Sequence, residues 1–116
     1  MLNFAASLKI HLHVAPADMR KSFQGLTAIA KHEMEQNPAD GSVFVFCNRS
    51  RTLVKLLYFD GTGLWVLAKR LERGTYWWPS PEQADAKDLQ LRHEALSMLL
   101  NGIDLTVGSL RPWFCR

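Results

Sequence analysis

The sequence predicts an α+β domain: a curved antiparallel sheet of about four to five strands with two helices packed on one side. Three observations carry that expectation. Leu8 to Val14 alternates apolar and polar residues, as a half-buried strand does. Met19 to Gln36 repeats apolar residues at helical spacing. Ser42 to Trp78 holds several strand-like runs separated by turn residues. With 116 residues, 47% of them hydrophobic, the chain fits a single domain over 1–116, its core at about 8–104 and a loose tail over 105–116.

The elements follow in order. In LKIHLHV, Leu8, Ile10, Leu12 and Val14 face the core, while Lys9, His11 and His13 take the polar, solvent-facing positions. Pro16 ends that strand because it lacks a ladder donor. Asp18 reads as the N-cap of a helix over Met19 to Gln36, with Met19, Phe23, Leu26, Ile29, Ala30 and Met34 along its buried side. Gly25 in its middle costs about 1 kcal/mol relative to alanine, which suggests a close backbone approach to a strand. Asn37-Pro38 and Asp40-Gly41 mark a stop and a turn.

SVFVFC, Ser42 to Cys47, is apolar after its first residue and reads as a central strand covered on both faces. Thr52 to Phe59 and Leu64 to Leu71 flank Asp60-Gly61-Thr62-Gly63, whose glycines suit a tight hairpin. Thr75 to Trp78 reads as a further short strand stopped by Pro79 and Pro81, so Trp77 and Trp78 should face opposite ways. A second helix is expected over Leu89 to Asn101, with Gly102 as its C-terminal cap.

The charge is unevenly distributed. The chain is +3 overall, but Asn48 to Gly74 alone is +4 and the remainder −1. Arg49 and Arg51 precede the first strand of the predicted hairpin; Lys55 lies on it; Lys69, Arg70 and Arg73 end the second. In an antiparallel ribbon the start of one strand lies beside the end of the next, so the two groups should converge away from the glycine turn. Like charges gathered there oppose folding unless an anion sits among them. Trp77 and Trp78 lie just beyond, able to stack on bases or on arginine planes. Arg20 and Lys21, in the first turn of the predicted helix, oppose its macrodipole and suggest a task other than helix stability.

Signals for other chemistry are weak. Two cysteines make no disulfide framework; Cys47 reads as a small buried hydrophobe, Cys115 as a tail thiol, and the compartment as reducing. The first residues do not resemble a signal peptide, and VFVFC is too short to span a bilayer, so a cytoplasmic protein without membrane contact is expected. His11 and His13 share a strand face but lack a third ligand at any known spacing, so no metal site and no cofactor are expected. Asp18, Asp60 and Glu72 would need to converge on shared Mg²⁺ to form a nuclease centre, yet each has a sufficient local role. No catalytic residue is assigned.

The strings Ala17-Asp18-Met19-Arg20-Lys21-Ser22-Phe23-Gln24-Gly25-Leu26, Leu56-Leu57-Tyr58-Phe59-Asp60-Gly61-Thr62-Gly63, Lys69-Arg70-Leu71-Glu72-Arg73-Gly74 and Trp78-Pro79 occur in that order. Together they resemble the Orf2, or TnpB-type, accessory proteins of the bacterial insertion-sequence family numbered sixty-six, over roughly Leu8 to Asp104. The basic run before the Leu-Leu-Tyr strand, often denser in that family, holds only Arg49 and Arg51 here. The resemblance implies a non-catalytic protein that supports DNA transposition beside a transposase and a second small accessory protein. The expected contact surface is Arg49, Arg51, Lys55, Lys69, Arg70 and Arg73, with Arg20, Lys21, Trp77 and Trp78, toward DNA, the transposase or both. The alternative is a module that binds the transposase or itself without touching DNA.

Overall fold

A computed structural model describes residues 8–80, 88–103 and 114–115. In chain order the elements are β1 (Ile10–His13), α1 (Phe23–His32), a 3-10 turn (Pro38–Asp40), β2 (Val43–Cys47), β3 (Leu53–Phe59), β4 (Leu64–Arg70), β5 (Asp88–Leu91), α2 (His93–Leu100) and β6 (Phe114–Cys115). They form one sheet in the order β4-β3-β2-β1-β5-β6. The α+β class stands, with five strands of four to seven residues and a two-residue sixth.

The sheet is mixed, not wholly antiparallel. β1 and β2 run parallel, with Ile10 opposite Val43 and Leu12 opposite Val45, and every other pairing is antiparallel. A parallel pair needs a long crossover, and α1 lies in it. Nor do the helices share one side. Along β2, Val43, Val45 and Cys47 pack with Ala95, Leu96 and Leu99 of α2, whereas Phe44 and Phe46 pack with Leu26, Ile29 and Ala30 of α1. Successive strand residues face opposite ways, so the helices cover opposite faces. All five residues of β2 are buried, as its unbroken apolar run requires.

Several boundaries depart from expectation. The first helix begins at Phe23, after a turn in which Lys21 N–H donates to Asp18 O at 3.0 Å. Its N-cap is Ser22, with no side-chain capping bond. Asp18 instead accepts from the Arg20 backbone N–H at 2.9 Å and pairs with the Arg20 guanidinium at 2.8 Å. A Cβ at Gly25 would lie 2.8 Å from Lys21 Cβ, so the close approach there is to this turn and not to a strand. Leu89 and Leu91 belong to β5, and the second helix starts only at His93. Gly102 does cap it, at φ +76°: its N–H donates to Leu99 O and that of Ile103 to Met98 O, each at 3.0 Å, the paired bonds of a Schellman motif. Phe114 and Cys115, expected in a loose tail, pair with Leu91 and Gln90 of β5.

His11 and His13 are buried rather than solvent-facing. They point to the α1 side, where His11 stacks on Phe44 with ring centroids 5.2 Å apart and His13 lies against Phe46. Carboxylates make that burial tolerable. His11 Nδ1 donates to both oxygens of Asp88 at 3.1 Å, and His13 Nε2 to Glu33 Oε1 at 3.1 Å. Gln36 Nε2 also donates to Asp88 Oδ2 at 3.1 Å, tying the segment after α1 to β5.

The hairpin is as expected, with Phe59 opposite Leu64 and Leu53 opposite Arg70. Asp60 organises its turn. Its Oδ1 accepts from Thr62 N and Oγ1 at 2.9 Å and from Gly63 N at 3.0 Å, and its Oδ2 from Trp65 Nε1 at 2.8 Å. These donors favour the carboxylate, with the Thr62 backbone N–H first among them, and hold its pKa well below the ordinary 3.8.

Two tests follow from these contacts. Asp88→Ala strands the His11 and Gln36 donors and should lower urea-measured stability by about 2–3 kcal/mol, whereas Asp18→Ala, at an exposed pair, should leave the urea midpoint nearly unchanged. Asp60 has a depressed folded pKa, so its contribution is complete above the ordinary 3.8 and disappears as pH falls through the lower folded value. Tryptophan emission should therefore show an acid transition with its midpoint below 3.8, abolished in both Asp60→Asn and Trp65→Phe.

Candidate contact surface at the basic sheet end

The loop from Asn48 to Thr52 joins β2 to β3 at the end remote from the glycine turn. Asn48 shapes it: its Oδ1 accepts from Thr52 N at 2.9 Å and Leu53 N at 3.1 Å, and its Nδ2 donates to Ser50 Oγ and Thr52 Oγ1 at 3.1 Å. This compact loop holds Arg51 at φ +61°, an uncommon backbone state for a residue with a Cβ. Opposite it, Leu71 N–H donates to Thr52 O at 3.1 Å, prolonging the β3–β4 ladder to the end of β4. Arg49 and Arg51 are thereby placed alongside Lys69, Arg70 and Arg73.

Tyr76 joins the two groups. Its N–H donates to Arg51 O at 2.7 Å and its hydroxyl to Lys69 O at 3.0 Å. Buried at 2% exposure, its phenol pKa is raised chiefly by desolvation. Thr75 to Trp78 is not a strand, so Trp77 and Trp78 are not forced to opposite sides: both are half-buried and pack against the α2-side core. Trp78 Nε1 donates to His13 O at 3.0 Å, and the Arg51 guanidinium lies over its ring, 5.4 Å from the centroid. Arg51, Thr75, Tyr76, Trp77, Trp78 and Gly102 line an open cleft of about 320 Å³.

The third group arrives from β1. Ala17 N–H donates to Cys47 O at 2.8 Å, and Lys55 Nζ donates to Met19 O at 2.8 Å and Lys21 O at 3.0 Å. The Asp18–Lys21 turn therefore sits on the α1 side of the same end. Eight of the fourteen Lys and Arg residues gather there: Arg20, Lys21, Arg49, Arg51, Lys55, Lys69, Arg70 and Arg73.

They are not equivalent. Lys55 serves the fold through the two carbonyls of the 18–21 turn. Lys69 Nζ donates to Leu100 O at 2.7 Å and places a cation at the C-terminus of α2, where the helix dipole favours one. Arg20 is paired with Asp18, whose pKa is held near 2 by the Arg20 side-chain hydrogen bond. Neither Arg20 nor Lys21 lies in a helical turn, so the dipole argument for them does not apply. Arg51 is half-buried, its Nη1 enclosed without a hydrogen-bond partner among the described residues. Burial raises the neighbouring Cys47 thiol's pKa, and this guanidinium partly offsets the shift. Arg49, Arg70 and Arg73 are exposed, and no ion pair joins them to a described residue; Glu72, beside Arg73 in the chain, pairs with none of them.

Asp60 stands at the far end of the hairpin from Asp18 and Glu72, roughly 20 Å along a seven-residue strand, so these three carboxylates cannot share metal ions. Among the described residues no group of three His, Cys, Asp or Glu is placed to hold a metal, and no helix is long and apolar enough to cross a membrane.

The organisers Asn48 and Tyr76 were absent from the expected surface. The Asn48-Arg49-Ser50-Arg51-Thr52 composition carries an Asx-turn signal that points to the first. Nothing local marks the second, whose partners are carbonyls of the β2–β3 loop and of β4. If Lys55 is structural, Lys55→Met should lower urea-measured stability by about 1–2 kcal/mol, while Arg49→Gln and Arg73→Gln should stay within about 0.5 kcal/mol of the parent.

Comparison with known proteins agrees with the resemblance seen in the sequence. The model of the family described as IS66 Orf2 like protein matches residues 8–109. Two Sinorhizobium fredii proteins are similar along nearly their whole lengths. Uncharacterized protein y4hO is 36% identical over 104 residues, covering 90% of this chain and 88% of its own. Uncharacterized protein y4jC is 30% identical over 112 residues, covering 97% and 93%. No solved structure matches significantly. With that match running from the first strand past the last described helix, the chain belongs to the IS66 Orf2-like family of insertion-sequence proteins.

Proposed function

We propose that this protein is a non-catalytic accessory factor of insertion-sequence transposition, and that its basic sheet end contacts the DNA backbone during assembly of the transposase on element ends. The family supports the accessory role. One observation carries the DNA contact: Arg49, Arg70 and Arg73, brought together by one ribbon, are exposed with no carboxylate paired to them among the described residues. Phosphate oxygens are suited to such a group, since guanidinium forks bind them in pairs and counterion release adds to the affinity. Lys21 extends the positive surface on the α1 side, and Arg51 over Trp78 does so on the α2 side. The partners are the transposase and the second small accessory protein of the same element, in the cytoplasm.

The test is an anisotropy titration of a labelled duplex from an element end at several salt concentrations. Log affinity should fall linearly with log salt, by about 0.9 per phosphate neutralised. The triple variant Arg49→Gln, Arg70→Gln, Arg73→Gln should bind at least ~10-fold more weakly and reduce that slope by about 2–3, with an unchanged urea midpoint. Absence of binding at low salt, or a variant indistinguishable from the parent, removes the DNA contact. Co-purification with the transposase from nuclease-treated extract would then support a protein-interaction module.

A further inference from the structure

β4 is a terminal strand of the sheet, seven residues long, and its outer side is unpaired among the described residues. Its hydrogen bonds fix which groups face outward. Asp60 N–H donates to Gly63 O and Leu71 N–H to Thr52 O, so the odd residues of β4, Trp65, Leu67 and Lys69, exchange their bonds with β3. The even residues Leu64, Val66, Ala68 and Arg70 therefore present their N–H and C=O groups outward. Only an antiparallel self-pairing with its twofold axis at Leu67 satisfies all four, matching Leu64 with Arg70 and Val66 with Ala68 of the other copy. A register shifted by two residues leaves one of them unpaired.

That register also sorts the side chains. Trp65 is the most exposed large apolar residue described, at 53%. It lies on the same face as Lys69, and in this pairing its ring stands directly opposite the second copy's Lys69. Beyond the strands, the Asp60–Gly63 turn comes alongside the second copy's Leu71–Arg73 segment, so an ionised carboxylate approaches the basic end. Cations meet an aromatic ring and an acid rather than one another.

We infer that the β4 edge is a homodimer interface, in which two copies pair antiparallel about Leu67 into one continuous sheet. The interface is isologous, as a closed twofold dimer requires. It needs no nucleic acid, so it stands or falls independently of DNA binding.

The test is sedimentation equilibrium of the full chain without DNA, over a wide concentration range, with two kinds of variant. The parent should dimerise. Ala68→Pro removes an outward donor that has no partner among the described residues, so it should leave the thermal melt largely intact and weaken dimerisation about tenfold or more. Trp65→Lys places a cation opposite Lys69 and should weaken the dimer, whereas Trp65→Glu places an anion there and should retain it better than Trp65→Lys. A parent that stays monomeric at high concentration overturns the inference. So does a folded Ala68→Pro variant that dimerises as the parent does. Equal behaviour of the two Trp65 variants overturns the register.

Discussion

The architecture depends on a strand that cannot face water on either side. Val43 to Cys47 carries no polar side chain, and all five of its residues are buried. A sheet built around it needs cover on both faces, and the chain has two described helices to supply it. α1, which lies in the crossover between β1 and β2, covers Phe44 and Phe46; α2, reached after β5, covers Val43, Val45 and Cys47. Parallel pairing of β1 with β2 follows from this arrangement, because the crossover that holds α1 returns the chain in the same direction. A one-sided packing of both helices would have left the two phenylalanines in water.

Two-sided burial also fixes what can happen at the sheet ends. Loops are the segments free to carry exposed charge, and the β2–β3 loop, the end of β4 and the turn before α1 all emerge at one end. Gathering eight cations there opposes folding, and the structure offsets this unevenly. Lys55 and Lys69 donate to backbone carbonyls, and Arg20 pairs with Asp18. Arg51 rests on Trp78, and Tyr76 ties its carbonyl to that of Lys69. What is left over is carried by Lys21, Arg49, Arg70 and Arg73. Positive charge in the sequence thus divides by what each head group touches, a distinction that composition cannot make.

Local pattern was sufficient for the hairpin and for β2, because two-residue alternation, glycine turns and a continuous apolar run each depend on neighbours in the chain. The convergence of Arg49 and Arg51 with Lys69 to Arg73 was legible for the same reason, since a hairpin fixes register. Failures occurred where distant residues decide. His11 and His13 alternate like solvent-facing residues, yet Asp88 and Glu33, 77 and 20 positions away, provide the acceptors that permit burial. Leu89 and Leu91 suit a strand and a helix alike; pairing with β1 decided for the strand. Tyr76 to Trp78 has strong strand propensity, but its polar atoms bond to Arg51, Lys69 and His13, and no strand forms. The sides taken by the helices were unreadable because sequence order does not state which face a crossover covers.

The two proposed contacts use different groups of the same strand, which is why one molecule can hold both. Pairing along β4 engages backbone atoms of its even residues and the rings and ammonium groups on the α2 side, Trp65 and Lys69. Lys69 already lies against the last turn of α2, so placing an aromatic ring beside it withdraws little charge from the basic surface. Arg49 is on the β2–β3 loop, away from the paired edge, and Arg73 lies beyond β4, past the last paired strand residue and beside the second copy's turn. An antiparallel dimer would separate the two Arg70 positions by six residues of strand, roughly 20 Å, and leave a basic loop cluster at each end of the shared ribbon. The pairing would therefore present two copies of the surface to a backbone instead of concealing one, and linked contacts raise the effective concentration of the second once the first is made.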